Sequence, residues 1–164
     1  MSWFFKKKPT AAAPIMVPRG KVMLALAEES VALKIDAMLM TMLMNGVVRH
    51  LAGEAAGQEM IDRVKELMAA KEEGRAAKPM PVTPETMHEL EKEVIGAVLD
   101  ECVIVGIDVV TMFDLGKRVT YRLGGKEAMA RYAQKVTALV ETTQALQKLD
   151  RAFGDRTVHW KPDR

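Results

Sequence analysis

The sequence predicts an all-α fold, a single-domain helical bundle of about four helices over residues 21–153. Three observations support this prediction. Apolar residues recur every three to four positions along most of the chain. The length of 164 residues suits one domain with its own core, and 49% hydrophobic with 28% charged residues is the balance of a globular protein. Methionines number 13 and aromatics are only 5% of residues, so the predicted core is aliphatic and thioether.

Residues 1–20 are predicted to be a flexible arm. It begins with Trp3, Phe4, Phe5, Lys6, Lys7 and Lys8 and continues as a Pro/Ala linker. Aromatic rings beside lysines suit a groove on a protein partner or the surface of an anionic membrane. We therefore predict that these six residues bind a protein partner, with peripheral membrane contact as the alternative. Deleting residues 1–15 is expected to leave the fold stable.

Residues 21–51 are predicted to form one long, methionine-rich helix that is apolar nearly all round. Two stripes at helical spacing, one starting at Leu24 and the other at Leu33, cover most of its surface. Such a helix is either central in the monomer or buried in an oligomer, and the pattern leaves both open. A second helix is predicted from Glu54 to about Glu73, where Gly74 ends it.

Thr83-Pro84-Glu85 predicts the start of a third helix. Threonine caps a helix, proline suits its first turn, and an acid there meets the positive end of the helix dipole. The apolar period then continues through Phe113. Residues 103–110 are rich in β-branched side chains, so a strand is the alternative over that stretch, although the period favours a helix.

The last helix is predicted from Lys126 to about Phe153, after a break at Gly124-Gly125. Before it, residues 118–123 alternate in polarity and read as either a short strand or a connecting turn. The helix carries the clearest periodicity in the chain, alternating three and four residues along Met129, Tyr132, Val136, Leu139, Thr143 and Leu146. This spacing is typical of a coiled coil or a bundle seam, and a homo-oligomer is one interpretation. Residues 154–164 are predicted to be a C-terminal tail.

Motifs that carry catalysis or bind metals are weak in this sequence. There is no phosphate-binding glycine loop, no nucleophile elbow and no zinc-binding set of cysteines and histidines. Glu85 and His88 form half of a carboxylate-bridged metal motif whose other half is missing, so His88 is predicted at the surface. Cys102 lies on an apolar helix face and is predicted to be buried and unreactive. The sequence therefore predicts no catalytic residue, no metal and no cofactor, and a protein that is not an enzyme.

Basic residues concentrate at the two ends of the chain, and the body over residues 22–150 is mildly acidic. A general nucleic-acid binder would carry its positive patch on the folded domain. One loose basic group of Lys117, Arg118, Arg122 and Lys126 is nevertheless a candidate for phosphate contacts. The single cysteine allows no internal disulfide, which favours a reducing, cytoplasmic location, with a position peripheral to a membrane as the alternative. No apolar run is long enough to span a bilayer.

These observations predict a non-catalytic assembly or adaptor subunit of a larger complex, which engages a protein partner through its N-terminal arm. Two alternative classes remain at the level of sequence. One is a nucleic-acid-associated accessory protein, such as a packaging or plasmid-type factor, and the other is a peripheral membrane component. Steep loss of binding with added salt would identify the nucleic-acid class, because phosphate contacts release counterions.

Overall fold

The computed structural model describes residues 13–80 and 84–157, with side chains described as far as residue 152. Helices dominate these ranges, which confirms the predicted all-α class. The elements are β1 (Met16–Pro18), α1 (Arg19–Ala32), α2 (Ala37–Ala52), α3 (Glu54–Glu72), β2 (Met87–Glu89), a π-helical turn (Leu90–Val94), α4 (Ile95–Val105) and α5 (Val109–Thr157). β1 and β2 pair as a two-stranded antiparallel ribbon, and the helices pack around one core.

The ribbon joins the N-terminal ends of α1 and α4. Val17 lies opposite His88 in its centre, and the amide of Leu90 donates to the carbonyl of Ile15 at 2.8 Å just beyond it. Residues 16–20, predicted to belong to a flexible linker, thus form β1 and the first turn of α1. The predicted helix start near Glu85 is wrong, since residues 84–86 are not helical and lead into β2. The capping signal at Thr83-Pro84-Glu85 is a property of the local sequence. The strand that follows it forms because it pairs with β1, a contact between segments distant in the chain.

The predicted long helix over 21–51 is divided into α1 and α2 by the turn at residues 33–36. Lys34 adopts a left-handed backbone with φ 56°, which a continuous helix does not allow. The side chain of Asp36 then caps α2, accepting a hydrogen bond from the amide of Met38 at 2.9 Å. An aspartate followed by an apolar run is a helix-start signal that the continuous apolar pattern concealed.

The core consists of aliphatic side chains from four helices and the π-helical turn, as predicted, but the predicted thioether share is wrong, since Met112 is the only buried methionine among the described residues. Its fully buried members include Val22, Leu26, Leu43, Val47, Leu90, Val94, Val98, Leu115 and Val119. α3 is peripheral and packs chiefly on α2. The side-chain amide of Asn45 donates to the carbonyl of Gly57 at 2.8 Å and fixes this contact.

α4 and α5 meet at a tight turn rather than forming one continuous helix. Gly106 ends α4 in the left-handed conformation with φ 82°, the usual device for stopping a helix. Asp108 starts α5 by accepting from the amide and the hydroxyl of Thr111, at 2.9 and 2.6 Å. The stretch 103–110 is therefore helical on both sides of the turn, and the strand alternative is wrong.

α5 folds back on itself at Gly125, whose φ of 77° and ψ of −169° interrupt the helix. The hydroxyl of Tyr132 donates to the carbonyl of Phe113 at 2.9 Å, although 19 residues of straight helix would span ~28 Å. Gly116 permits this approach, because a side chain at that position would collide with the tyrosine ring. Residues 109–124 and 126–157 thus form a helical hairpin, and the predicted break at Gly124-Gly125 is confirmed.

Residues 118–123 lie within the first arm of this hairpin, so the predicted short strand or connecting turn is wrong. Val119 and Thr120 are both fully buried. The hydroxyl of Thr120 donates to the carbonyl of Gly116 at 2.6 Å, which satisfies it inside the core. Apolar contacts at helical spacing outweighed the short local alternation.

Candidate interaction surfaces

A methionine-lined groove of about 340 Å³ opens on the face formed by α1, α2 and α3. Met23 contributes from α1, Met44 from α2 and Met60 from α3, and Met80 closes one side from the loop that follows α3. Flexible, polarisable thioethers on a concave surface adapt to apolar side chains of different shapes. The groove therefore has the chemistry of an adaptable apolar binding site.

Charged residues from α1 and α3 also line this methionine groove. Arg19, Glu59 and Arg63 line it together with the methionines. The guanidinium of Arg63 donates to the carbonyl of Lys78 at 2.5 Å and anchors the loop that carries Met80. The groove thus combines an apolar floor with a polar edge, the arrangement seen in protein–protein interfaces.

The N-terminal arm joins the body at the same end of the molecule as the groove. Ile15 packs against the core, and Arg19, the first residue of α1, already lines the groove. The arm residues predicted to bind a partner, Trp3, Phe4, Phe5, Lys6, Lys7 and Lys8, lie outside the described residues. Any contact they make therefore starts from the ribbon end of the fold.

The opposite end of the molecule exposes a second apolar surface, which we call the apolar end. Here the turns 33–36 and 106–108 come together, because α1 runs antiparallel to the first arm of α5 and α2 runs antiparallel to α4. The surface consists of Val31, Met38, Val103, Ile104, Val109 and Val110, each between 60% and 79% exposed. Exposed apolar side chains gathered at one end of a molecule are candidates for a contact site.

The polar groups of the apolar end are largely occupied. Asp36 caps α2 and Asp108 caps α5. The hydrogen bonds from Thr111 hold the pKa of Asp108 below its usual value. The surface therefore offers apolar contact beside the exposed side chain of Lys34 and the two capping carboxylates.

Two of the four residues predicted to contact phosphate are held in ion pairs between α1 and α5. Arg118 lies 3.5 Å from a carboxylate oxygen of Glu29 and 3.4 Å from one of Asp114. Arg122 pairs with both Glu28 and Glu29. Lys117 and Lys126 are exposed. Since the arginine charges are balanced by carboxylates, the predicted phosphate site is weaker than the sequence cluster indicates, and it stays a prediction.

His88 is buried, so its predicted surface position is wrong. As the central residue of β2 it faces inward, while Glu85 lies outside the strand and contacts Gly20. Nε2 of His88 has no hydrogen-bond partner, and Nδ1 of His88 lies 4.0 Å from a carboxylate oxygen of Glu93. Within residues 13–80 and 84–157, no three histidine, cysteine, aspartate or glutamate side chains come close enough to hold a metal ion.

A polar cleft of about 310 Å³ lies between α2 and α4. His50, Lys92, Glu93 and Asp100 line it, and His50 also lies 3.8 Å from Glu101. None of these groups is a nucleophile activated by a neighbouring base. The cleft therefore lacks the constellation that would define a reaction class.

Cys102 is fully buried in α4, as predicted. Burial, together with the nearby Glu101 carboxylate, raises the pKa of its thiol to about 12. The thiol is therefore protonated at neutral pH and does not act as a nucleophile.

In the part of the chain that the structure describes, no helix combines the length and the apolar character needed to cross a bilayer.

The sequence pattern did not reveal the two apolar surfaces. The methionine groove joins residues from three helices, and its only sequence signal was the methionine count. The apolar end joins two stretches that were read separately, one as a buried stripe and one as a helix-or-strand ambiguity. No family model matches the chain, and no curated protein or solved structure is detectably similar to it.

Proposed function

We propose that this protein is a non-catalytic assembly or adaptor subunit that binds an apolar segment of a protein partner. The methionine groove is the observation that carries the proposal. It is open and lined mainly by apolar residues of three helices and the loop that follows α3, the usual character of a ligand pocket. The absence of an activated nucleophile among the described residues around the polar cleft leaves binding as the activity with the best structural support.

The charged rim of the groove favours a protein segment over a small apolar molecule or a membrane. Arg19 and Arg63 stand beside Glu59, so both signs of charge are available to fix the orientation of a bound helix or peptide. An anionic membrane would instead select a surface whose free charge is basic. The N-terminal arm starts near the groove and supplies a second contact to the same partner. Binding at one of the two sites then raises the effective concentration of the partner at the other.

Met60→Glu tests this proposal, because it places a carboxylate on the apolar floor of the groove. Met68→Glu is the matched control, since it makes the same change on the same helix at an exposed methionine outside the groove. Affinity purification of the tagged full-length protein, its Met60→Glu and Met68→Glu variants and a form lacking residues 1–12 identifies the partner. The partner is then purified and its affinity for each form measured by calorimetry.

We expect Met60→Glu to weaken binding at least tenfold while Met68→Glu binds normally, with both variants retaining the wild-type melting temperature. Loss of the partner only on removal of residues 1–12 would assign binding to the arm and not to the groove. Equal affinity for all four forms would overturn the proposal. So would a Met60→Glu variant that keeps every protein partner and loses only its sedimentation with lipid vesicles.

A further inference from the structure

The thioethers of the methionine groove can undergo a reaction that other apolar side chains cannot. Four methionines, from three helices and the loop after α3, converge on this one groove, while Met112 is the only buried methionine among the described residues. A reduced thioether is apolar, but oxidation converts it into a polar sulfoxide. The apolar character of the groove therefore depends on the oxidation state of its methionines.

Met80 is the most accessible of the four groove methionines. Its side chain is 62% exposed, whereas Met23, Met44 and Met60 are each only partly exposed. Oxidation of a methionine requires that the oxidant reach its sulfur, so susceptibility follows exposure. A small oxidant in solution therefore reaches Met80 before it reaches the other three.

The loop that carries Met80 is fixed to α3 by hydrogen bonds at Lys78. The amide of Lys78 donates to a carboxylate oxygen of Glu66 at 3.1 Å, and the carbonyl of Lys78 accepts from Arg63 at 2.5 Å. The hydrogen bond from Arg75 is the main cause that lowers the pKa of Glu66 to about 2, so this carboxylate stays ionised at neutral pH. Met80 is thus held at the edge of the groove although its side chain is open to solvent.

We propose that Met80 is a reversible oxidation site, at which a peroxide lowers the affinity of the methionine groove for apolar ligands. The inference rests on the groove being the binding site proposed above. Hydrogen peroxide transfers one oxygen atom to the sulfur of Met80. The S–O bond forms as the O–O bond breaks, the sulfur loses two electrons, and the peroxide is reduced to water. A methionine sulfoxide reductase reverses the change by taking two electrons from thiols and releasing the oxygen as water.

The sulfoxide weakens apolar binding because its oxygen is a hydrogen-bond acceptor at the edge of an apolar floor. In water this oxygen is hydrated, and the guanidinium groups of Arg19 and Arg63 in the same groove are further donors for it. An apolar ligand that packs against Met80 would remove these donors from the oxygen. A buried acceptor left without a donor is costly, so the oxidised groove binds such a ligand less tightly.

Peptide mass spectrometry after limited treatment of the purified full-length protein with hydrogen peroxide tests the reactivity of Met80. We expect Met80 to be oxidised before Met23, Met44 and Met60, and the buried Met112 to stay reduced. Oxidation of the other three groove methionines while Met80 stays reduced would overturn the proposal.

Binding of Nile red, an uncharged apolar dye, tests the effect on the groove. We expect oxidation to weaken dye binding about tenfold, and a methionine sulfoxide reductase with a thiol to restore it. Met80→Leu keeps a side chain of similar size that peroxide does not oxidise, so it should retain its affinity after the same treatment. Met68→Leu is the matched control, because Met68 is an exposed methionine outside the groove, and it should lose affinity as the wild type does.

Unchanged dye affinity after oxidation of Met80, or an equal loss in Met80→Leu, would overturn the proposal. The reduced Met60→Glu variant distinguishes this result from a failure of the proposed function. If reduced Met60→Glu binds the dye less tightly than the reduced wild type, the groove is an apolar binding site, and an unchanged affinity on oxidation then contradicts only the role of Met80. Equal binding by the two reduced proteins would contradict both proposals.

Discussion

At the residue scale, the buried polar groups show how the hairpin of α5 is fixed. Tyr132 is almost fully buried, and burial, reinforced by Cys102 and Asp114, raises the pKa of its phenol to about 12. The hydroxyl therefore stays protonated and donates to Phe113. A phenylalanine would preserve the packing and leave that carbonyl without this donor, which explains why a tyrosine suits this position.

Glu91 makes the clearest electrostatic contribution to stability. It lies in the π-helical turn, where its carboxylate accepts from Nε of Arg131 at 2.5 Å and stands 3.5 Å from Nζ of Lys135. Partial burial raises the pKa of this carboxyl, but the hydrogen bond and the two positive charges outweigh it, and the net pKa is lowered. The contacts of Glu91 with Arg131 and Lys135 tie the second arm of α5 to the π-helical turn that leads into α4.

We expect Glu91→Gln to destabilise the protein by up to about 1 kcal/mol near neutral pH. The carboxyl has a lower pKa in the folded chain than in the unfolded one, so its contribution is complete above about pH 4.3 and is lost as the pH falls through the folded value. Urea unfolding of wild type and variant between pH 7 and pH 3 checks this. A difference that stays constant over the whole range would show that packing, not charge, is responsible.

At the element scale, the helices followed from the sequence and the junctions between them did not. The apolar periodicity predicted the bounds of α3 and of the second arm of α5 closely, although much of each predicted apolar face is exposed, including Leu67 and Met68 in α3 and Leu139 and Leu146 in α5. The turn at Lys34 and the strand at His88 escaped prediction. Both are determined by packing between segments distant in sequence, and the local signal at Asp36 was masked by methionines on either side.

Gly125 is the residue on which the α5 hairpin depends. Its φ of 77° with ψ of −169° belongs to a backbone region open essentially only to glycine. Gly125→Ala is therefore expected to destabilise the fold by roughly 1–3 kcal/mol. Gly96→Ala is the control, since that helical glycine has open space around it, and the change should be neutral or stabilise by roughly 0.5–1 kcal/mol.

Equilibrium unfolding in urea measures both glycine variants. If Gly125→Ala were as stable as wild type, the reversal of α5 would not require the glycine backbone. If Gly96→Ala were strongly destabilising, the space beside α4 would be smaller than the structure indicates.

At the scale of the whole molecule, the body begins earlier in the chain than the sequence predicted. Removal of residues 1–15 was expected to be harmless, but Ile15 packs on the core and its carbonyl accepts from Leu90. A deletion of residues 1–12 should leave the melting temperature unchanged. A deletion of residues 1–18 also removes β1 with the buried Val17, and should cost about 3 kcal/mol.

Thermal melts of the two truncated proteins distinguish these cases. A large loss of stability from the shorter deletion would mean that the first twelve residues pack on the body. Equal stability of the two would mean that β1 contributes little.

The binding surfaces were less predictable than the fold because each joins distant parts of the chain. The sequence identified the aromatic and basic arm as a binding segment, and that prediction remains untested. The methionines were predicted to lie in the core, whereas four of them line the groove. The second arm of the α5 hairpin was anticipated by the heptad pattern, but the period alone did not reveal that only its first part, near Tyr132, is buried within the monomer.

The β1–β2 ribbon has a consequence for how the chain reaches its native state. Its strands are about 70 residues apart in sequence, so closing the ribbon carries the entropic cost of a long loop that includes α1, α2 and α3. The hairpin of α5, whose contacts are local, forms without waiting for that closure. A chain emerging from the ribosome therefore holds its first strand unpaired until β2 has been synthesised, and an unpaired strand edge is a template for pairing with other chains. The small size of β1, three residues that include Pro18, limits that risk during synthesis.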